Sequence, residues 1–583
     1  MNVPLLKTIS GAAAQLVTQS IIIGKIPTLR KSILARKHGF HADGSCRLGI
    51  SRQIHGFSGW LCGKSVAFLR ETWYISFCIR GAKRTGPAAA LPRGLPGAAV
   101  CRGGCGRREA VPGRAGKKAG NMVGKDGQMA KSTTKNITEG PIALQIIEFA
   151  LPLMFGNVFQ MLYNTADSIV VGNFVGTEAL AAVGATTMIT YMAIFFFNGF
   201  ATGAGVVIAN YFGGKNFERL HDAIETTMAA TLAACLIFTL AGTLGAGVML
   251  RLMATPDDVL GDAETYLRIY FLGVTGLLIY NMGAGILRAV GDTTRPLYFL
   301  ILTSLLNIFL DILFVISFHM GIAGVAWATI LSQFISSAMV LLVLLRTKDV
   351  YRFSFRDMRI DGGILRKIFA IGLPAGIQSI ITSFSNVFVQ SYINYFGSVV
   401  IAGWTCYNKL DQFIMLPMQS MAMASTTFVS QNVGARKMRR ADEGTWTCIR
   451  ITLAITLVVA ALLWVFSPQA TRLFSADPEV IAAGVRFLKA IVFFTAFNCV
   501  NQVLAGSLRG RGDSRGPMIL MLLGFVAVRQ TYLFLVTRFF INTPVSVGFG
   551  YPVGWMATCV MEVLYFRHQR KKRLAAERGA GGI

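Results

Sequence analysis

The feature that most constrains this chain is a series of long apolar stretches, which recur from about Ile142 to Phe566 with only short polar breaks between them. A helix that crosses a bilayer needs roughly 20 predominantly apolar residues, and about twelve such stretches fit into this region. Since only 14% of the residues are charged and 53% are hydrophobic, too few charges remain to cover a soluble surface. The sequence therefore predicts an all-α polytopic membrane protein with twelve spans.

Positive charge is concentrated in alternate loops. The loops after the even-numbered predicted spans and the tail after the last span are rich in Lys and Arg, whereas segments such as GNFVGTEA and NYFGS after odd-numbered spans carry almost none. Cytoplasmic loops of membrane proteins carry this excess. We therefore expect a multi-pass protein of the cell membrane with both termini in the cytoplasm. The net charge of +28 then requires no nucleic acid partner.

The first 130 residues have a different composition. They hold 21 Lys and Arg against four acidic residues, are rich in Gly and Ala, and lack long apolar segments, which predicts a disordered basic extension. An arm that binds RNA or anionic lipid and a transit-like extension are two interpretations. We favour a third, that the extension is not a functional part of the protein, because an in-frame Met122 or Met129 begins a more ordinary start for a membrane protein.

An internal repeat divides the apolar region into two halves. The segment that begins at Gly285, GILRAVGD, returns 221 residues later as GSLRGRGD from Gly506, and the same offset pairs Gly213 with Gly434. Six spans is an even number, so both copies enter the membrane from the same side and form two lobes around a central cleft. We expect an N-terminal lobe over 140–346, a cytoplasmic loop over 347–366, a C-terminal lobe over 367–567 and a basic tail over 568–583.

The first predicted span carries a carboxylate where lipid is expected. Asp167 shares one helical face with Asn157, Gln160 and Asn164, at spacings of three, four and three residues. An ionisable group at the bilayer centre costs about 2.5 to 3.5 kcal/mol on insertion scales, so this face should line a cavity.

A second carboxylate lies in the fifth predicted span. Asn307 and Asp311 are four residues apart and lie one above the other on a helix, and Thr329 of the sixth span adds a hydroxyl. Two carboxylates and an amide oxygen suit a small cation or a shared proton. The repeat places Val528 and Tyr532 at the corresponding positions of the second half, so the site is one-sided. A structural role for these acids, as caps or hydrogen-bonding groups, is the alternative.

Other polar and flexible side chains are candidates for the wall of the cleft. Thioethers and aromatic faces suit an apolar or cationic ligand, although packing explains many of them equally well. Lys409 and Asp411 of the eighth span are interpreted as a mutually neutralising pair near a helix end. The candidate substrate-contacting residues are Gln160, Tyr163, Asn164, Asn386, Gln390 and Met415.

Several motifs, in order and at the repeat spacing, resemble those of the multidrug and toxic compound extrusion (MATE) family. They are the paired turns at Gly285 and Gly506, AWAT at 326–329, SQNVGA at 430–435 and YPVGW at 551–555, and the resemblance covers about 140–566. It implies a V-shaped, two-lobe bacterial exporter that works by alternating access and is driven by Na⁺ or H⁺. Members with a cation site in the N-terminal lobe hold the ion with four residues, which match Asp167, Asn307, Asp311 and Thr329.

The sequence thus favours an antiporter that exports cationic or amphipathic small molecules in exchange for Na⁺ or H⁺. A flippase for a lipid-linked oligosaccharide is the alternative, and it would favour a large cleft lined by Arg, of which the spans offer mainly Arg529. An enzyme is not expected, because no metalloprotease motif and no phosphate-binding loop occur. We expect no cofactor beyond the coupling ion and no obligatory protein partner, with the lipid bilayer as the surroundings.

Overall fold

The computed structural model describes residues 137–175, 177–253, 255–540 and 542–580. These belong to one compact unit, Gly124–Ile583. The predicted disordered extension over 1–130 lies outside the described residues, so its structure stays a prediction.

The N-terminal lobe contains six spans, and three of them are irregular. The first and fifth spans end in π-helical turns, Val171–Val175 and Leu313–Ser317. The fourth span is bent by 46° at Gly273. The helices are Ile142–Val170, Thr177–Gly213, Phe217–Leu252, Asp257–Leu272 with Val274–Ala289, Thr294–Ile312 and Gly321–Arg346.

The C-terminal lobe repeats this pattern after the segment 347–361. Its tenth span is interrupted by a 3₁₀ turn, Val492–Phe494, and its eleventh by a π-helical segment, Leu522–Val528. The helices are Gly362–Asn394, Ser398–Gly434, Met438–Val465, Ser467–Arg472, Pro478–Ile491 with Thr495–Gly510, Arg515–Met521 with Arg529–Phe539, Pro544–Gly548 and Gly550–Ala580.

Most of these helices are long and apolar enough to cross a membrane. Ten of the described helices pass a test of length and composition, and the bent fourth span makes eleven. The remaining long helix is the eighth span, Ser398–Gly434, which has 37 residues but carries Lys409 and Asp411 in its first half. The predicted all-α fold is thereby confirmed.

The loops that follow even-numbered spans, and the end of the last helix, all lie at one end of the helical unit, which we call the basic end. It comprises 214–216, 290–293, 347–361, 435–437, 511–514 and 567–580. The other end is called the opposite end.

The two lobes exchange the first halves of their leading helices. Ile364, Ile368 and Ile371 of the seventh span are buried in the core of the N-terminal lobe. Ile146 and Phe149 of the first span are buried in a core cluster of the C-terminal lobe. Each leading helix therefore begins against the other lobe.

Glycines permit the closest approach of the lobes. Gly199 and Gly203 of the second span form one small-xxx-small pair, and Gly372 and Gly376 of the seventh span form another. A Cβ at Gly203 would lie 2.7 Å from the backbone nitrogen of Gly372, closer than real Cβ atoms come. Such pairs let helix backbones touch within membranes.

A second backbone contact lies nearer the basic end and obeys the repeat symmetry. Gly213 packs on the backbone of Gln431, and Gly434 packs on the backbone of Asn210, with both pairs related by the offset of 221. Beside them the Ser430 hydroxyl donates to the carbonyl of Val206 at 2.6 Å. The buried Gln431 amide also donates across the lobes, to the carbonyl of Ala289 at 2.8 Å.

These contacts lie in the half of the helical unit nearer the basic end. One polar link between the lobes runs from the Asn157 amide to the Ser420 hydroxyl at 3.1 Å, near the middle of the first and eighth spans. Other contacts that join the lobes, such as the hydrogen bond from Lys367 to Tyr211 and the ring contact of Phe200 with Phe369, lie nearer the basic end. Glycine packing and buried hydrogen bonds therefore join the two lobes in the half nearer the basic end.

Candidate functional site: a carboxylate pair in the N-terminal lobe

Asp167 and Asp311 come together inside the N-terminal lobe. Asp311 is fully buried and Asn307, one helical turn before it, is also buried, while Asp167 is half-buried. The two carboxyl groups are near enough to interact electrostatically. The first and fifth spans pack against each other, which brings the two predicted polar faces into one site.

The oxygens of this site are poorly satisfied. Both carboxylate oxygens of Asp311, one of Asp167 and both polar atoms of the Asn307 amide are buried and have no hydrogen-bond partner among the described residues. The hydroxyl of Ser304, one turn before Asn307, is in the same condition. Buried polar atoms are ordinarily hydrogen-bonded, and unpartnered ones mark a functional group or an ion. This donor set suits a small hard cation or a proton.

Two tyrosines of the fourth span complete the surroundings, and the sequence patterns gave no sign of them. Tyr266 is buried and interacts electrostatically with both Asp167 and Asp311. Tyr270, one turn later, interacts with Tyr163 of the first span. The i, i+4 spacing of the two tyrosines was visible in the sequence, but it equally suits packing in a core.

The backbone around the carboxylates is irregular. Asp167 lies four residues before the π-helical turn Val171–Val175, and Asp311 lies two residues before Leu313–Ser317. π-Helical turns are rare and often occur at functional sites, because they leave carbonyl groups without their usual partners. Both carboxylates therefore lie where two spans can adjust locally.

Thr329, the fourth predicted site residue, lies half-buried on the sixth span. Its hydroxyl donates to the carbonyl of Val325 at 3.1 Å, which leaves the oxygen able to accept or to bind a cation. Gly273, where the fourth span bends, lets that span approach the sixth span closely. A Cβ on Gly273 would overlap the side chain of Ile330. Ser332, one turn after Thr329, is buried with its hydroxyl unpartnered among the described residues.

Five of the six candidate substrate-contacting residues fall into two groups, on the first and seventh spans. On the first span, Gln160 and Asn164 are exposed and Tyr163 is half-buried beside Asp167. On the seventh span the side-chain oxygen of Asn386 accepts from Arg529, and the Gln390 amide donates to the side-chain oxygen of Asn394 at 2.8 Å.

Met415 of the eighth span packs within the C-terminal lobe. Its sulfur accepts a hydrogen bond of 3.4 Å from the Asn498 amide, and its side chain lies against the core of that lobe. A role for this residue in substrate contact stays a prediction.

The predicted pairing of Lys409 with Asp411 is wrong in its geometry. Lys409 is exposed, and no ion pair joins it to Asp411 among the described residues. Residues two apart on a helix point to opposite sides, and both lie well inside the helix Ser398–Gly434. One oxygen of Asp411 is buried without a hydrogen-bond partner in the described part of the chain.

The C-terminal lobe also holds buried charges that sequence analysis underrated. Arg529 is 1% exposed and lies between the rings of Phe525 and Tyr551, at 4.9 and 4.7 Å. Glu562 of the last span is fully buried and interacts with Arg509. The sequence did not single out Glu562, because it follows an apolar run directly before the basic tail. An acidic residue at that position has the pattern of a solvent-exposed helix end.

Comparison with known proteins agrees with the fold. The model of the MatE family matches residues 152–313 and 374–530. The chain is 30% identical over 439 residues to the "Probable multidrug resistance protein YpnP" of Bacillus subtilis, covering 75% of this chain and 98% of that protein. It is 24% identical over 436 residues to the "Probable multidrug resistance protein NorM" of Thermotoga maritima, covering 73% and 92%.

Solved structures show the same architecture. A structure described as an outward-facing conformation of a multidrug resistance MATE family transporter matches with a TM-score of 0.71 and 25% identity, over 75% of this chain and 98% of that one. A crystal structure of MATE in the bent conformation matches with a TM-score of 0.72 and 24% identity, over 78% and 100%. With two copies of the family model, twelve spans in two repeated lobes and a relative matched almost end to end, this chain belongs to the MATE family of multi-pass membrane transporters and is not an enzyme.

Proposed function

We propose that this transporter is a secondary antiporter, which exports cationic or amphipathic drugs and toxic compounds in exchange for Na⁺ or H⁺. The names of its relatives, which include multidrug resistance and multidrug export proteins, support the substrate class. The observation that carries the coupling is the buried carboxylate pair Asp167 and Asp311, with its unsatisfied oxygens. A cation or proton there would satisfy groups that the fold leaves without partners.

The site residues would divide the work as follows. Asp311 and Asn307 form the buried inner wall, and Asp167 on the first span faces them. Thr329 supplies a hydroxyl oxygen from the sixth span. Cation binding then draws the first span towards the fifth and sixth, and release of the cation lets it relax at the π-helical turns.

Coupling needs only a difference in cation affinity between two arrangements of the lobe. The exposed polar face of the first span, which includes Gln160 and Asn164, continues directly to Asp167. A change in packing at the carboxylates therefore changes the surface that a substrate meets in the cleft. Substrate and cation then compete through the first span.

The state of the cleft follows from the closed basic end. The excess of Lys and Arg supports a cytoplasmic basic end under the positive-inside rule, with both termini on that side. With the glycine contacts formed, the cleft is shut towards the cytoplasm. Transport by alternating access then requires that these contacts break and that the lobes close at the opposite end.

The flippase alternative is less well supported. It requires a guanidinium that can reach a pyrophosphate, but the Arg529 guanidinium is enclosed by the rings of Phe525 and Tyr551 and by the side-chain oxygen of Asn386. With 1% of its surface exposed, Arg529 does not line a large cleft.

The test is ethidium efflux from energised cells that express the chain, with Na⁺ present or absent at fixed pH. The wild type should extrude ethidium, and Asp167→Asn and Asp311→Asn should abolish coupled efflux while both proteins insert at normal levels. Asp411→Asn is the matched control, because it removes a carboxylate of the C-terminal lobe that also has a buried, unpartnered oxygen among the described residues. Normal efflux by Asp167→Asn would refute the assignment.

A further inference from the structure

A second group of potential ligands lies at the basic end of the N-terminal lobe, apart from the carboxylate pair. His221 and Glu225 are one turn apart on the third span, and Asp357 reaches them from the segment 347–361. One ligand atom from each of the three lies within 4.8 Å of the others. Asp311 lies 17 residues into a span that starts at this end, and Glu225 lies eight residues into another, so the two sites are roughly 14 Å apart along the helix axis.

Glu225 is the residue that makes this group unusual. Its side chain is fully buried, and neither carboxylate oxygen accepts a hydrogen bond of normal geometry from any described residue. The His221 Nε2 lies 2.7 Å from one oxygen, and the Arg359 Nε lies 3.8 Å from the other. The Arg359 side chain is 75% exposed, so it compensates the buried charge only weakly.

The local charge also departs from that of its surroundings. Four carboxylates gather here, on Asp222, Glu225, Asp357 and Asp361, against two guanidiniums, on Arg219 and Arg359. With a neutral imidazole the group carries an excess of two negative charges, at an end of the protein where loops are otherwise basic. A divalent cation would neutralise this excess.

We propose that His221, Glu225 and Asp357 bind a divalent transition-metal ion, with Zn²⁺ as the best fit. An imidazole nitrogen and two carboxylate oxygens suit Zn²⁺ or Co²⁺, whereas Mg²⁺ and Ca²⁺ prefer oxygen ligands alone. Three protein ligands leave at least one position for water.

Metal binding here would fix the segment between the lobes to the third span. That segment is already anchored by the buried rings of Tyr351 and Phe353, and it ends at Asp361, which caps the seventh span. Asp357 lies on the exposed stretch between these anchors, so the ion would hold the most exposed part of the segment. The ion would thereby act on the seventh span, whose first half packs in the N-terminal lobe.

The experiment is Co²⁺ binding to the purified full-length protein in detergent, after alkylation of its cysteines, followed by the visible d–d absorption. The wild type should bind one Co²⁺ that Zn²⁺ displaces, with a spectrum of nitrogen and oxygen ligands. His221→Gln and Asp357→Asn should each weaken binding at least tenfold. Asp357 is exposed, so its variant should fold normally.

His319→Gln and Asp349→Asn are the matched controls, because they remove a histidine and an aspartate outside the group. Both should bind Co²⁺ like the wild type. As an independent readout, Zn²⁺ should slow tryptic cleavage at Arg356 and Arg359 in the wild type and leave Asp357→Asn unaffected. No Co²⁺ binding, or equal affinity in His221→Gln and the wild type, would overturn the metal site and leave only a direct contact between His221 and Glu225.

Discussion

Replacement of Gly434 by Ala should favour the state in which the lobes separate at the basic end. A Cβ at this position would lie much closer than 3.0 Å to the backbone oxygen of Asn210. Real Cβ atoms essentially never show such a short contact. The neighbour is backbone, so it has no rotamer by which to move away. Relief requires the second and eighth spans to move apart by about 1 Å, because helix interfaces are close-packed.

The magnitude follows from the cost of overpacking, which is about 1–3 kcal/mol. Only the state closed at the basic end bears this cost, so at the upper value the ratio of closed to open molecules falls by roughly 100-fold, at 1.4 kcal/mol for each factor of ten. The better helix propensity of Ala opposes the change by at most about 1 kcal/mol and acts on both states alike.

The assay is a distance measurement between spin labels at Glu218 and Arg439. Both residues are exposed at the basic end, and they are related by the repeat. Gly434→Ala should add a longer distance that the wild type lacks, and Gly213→Ala should do the same, since a Cβ there meets the backbone of Gln431. Gly261→Ala is the control, because a Cβ at Gly261 has no heavy atom within 4 Å. An unchanged distance in Gly434→Ala would refute the glycine contact as the closure.

Three further predictions concern single interactions. Ser430→Ala removes the bond to the Val206 carbonyl and should shift the same spin-label equilibrium about fivefold towards the open state, as expected for about 1 kcal/mol; a ratio equal to that of the wild type would contradict this. Tyr266→Phe removes a hydroxyl beside Asp167 and Asp311, and should change the cation concentration for half-maximal efflux about five- to tenfold without loss of insertion; unaltered cation dependence would exclude the hydroxyl from the site. Asp361→Ala should lower the thermal stability at pH 7, because the backbone amides of Ile364 and Gly363 hold the pKa of Asp361 below its ordinary 3.8. The contribution of the Asp361 carboxylate to stability is present above pH 3.8 and is lost as the pH falls through the lowered pKa. The melting temperatures of wild type and variant should therefore converge in acid.

The sequence predicted those parts of the site that depend on helical periodicity. The spacing of Asn307 and Asp311, and the stripe that ends at Asp167, follow from 3.6 residues per turn. The assembly of the two stripes at one place required the packing of the first span on the fifth. Tyr266 and Tyr270 escaped prediction because a buried tyrosine in a span has the same pattern whether it faces a carboxylate or a core.

Sequence patterns did not predict the contacts between the lobes, for a different reason. The repeat paired Gly213 with Gly434, but it gave no indication that each glycine packs on the other lobe, because a repeat relates positions without bringing them together. Lys409 and Asp411 show the converse error. Their nearness in sequence suggested a pair, although residues two apart on a helix face different sides.

In the proposed mechanism, cation and drug movements are coupled at Asp167 and Asp311. Reverse coupling in proteoliposomes tests this: an imposed ethidium gradient should drive a cation against its own gradient, which is followed by ²²Na⁺ movement and internal pH. Linkage predicts that the wild type moves one of these cations against its gradient. Asp167→Asn should move no cation against its gradient, whether or not ethidium still crosses the membrane. Uphill cation movement by Asp167→Asn equal to that of the wild type would contradict the account.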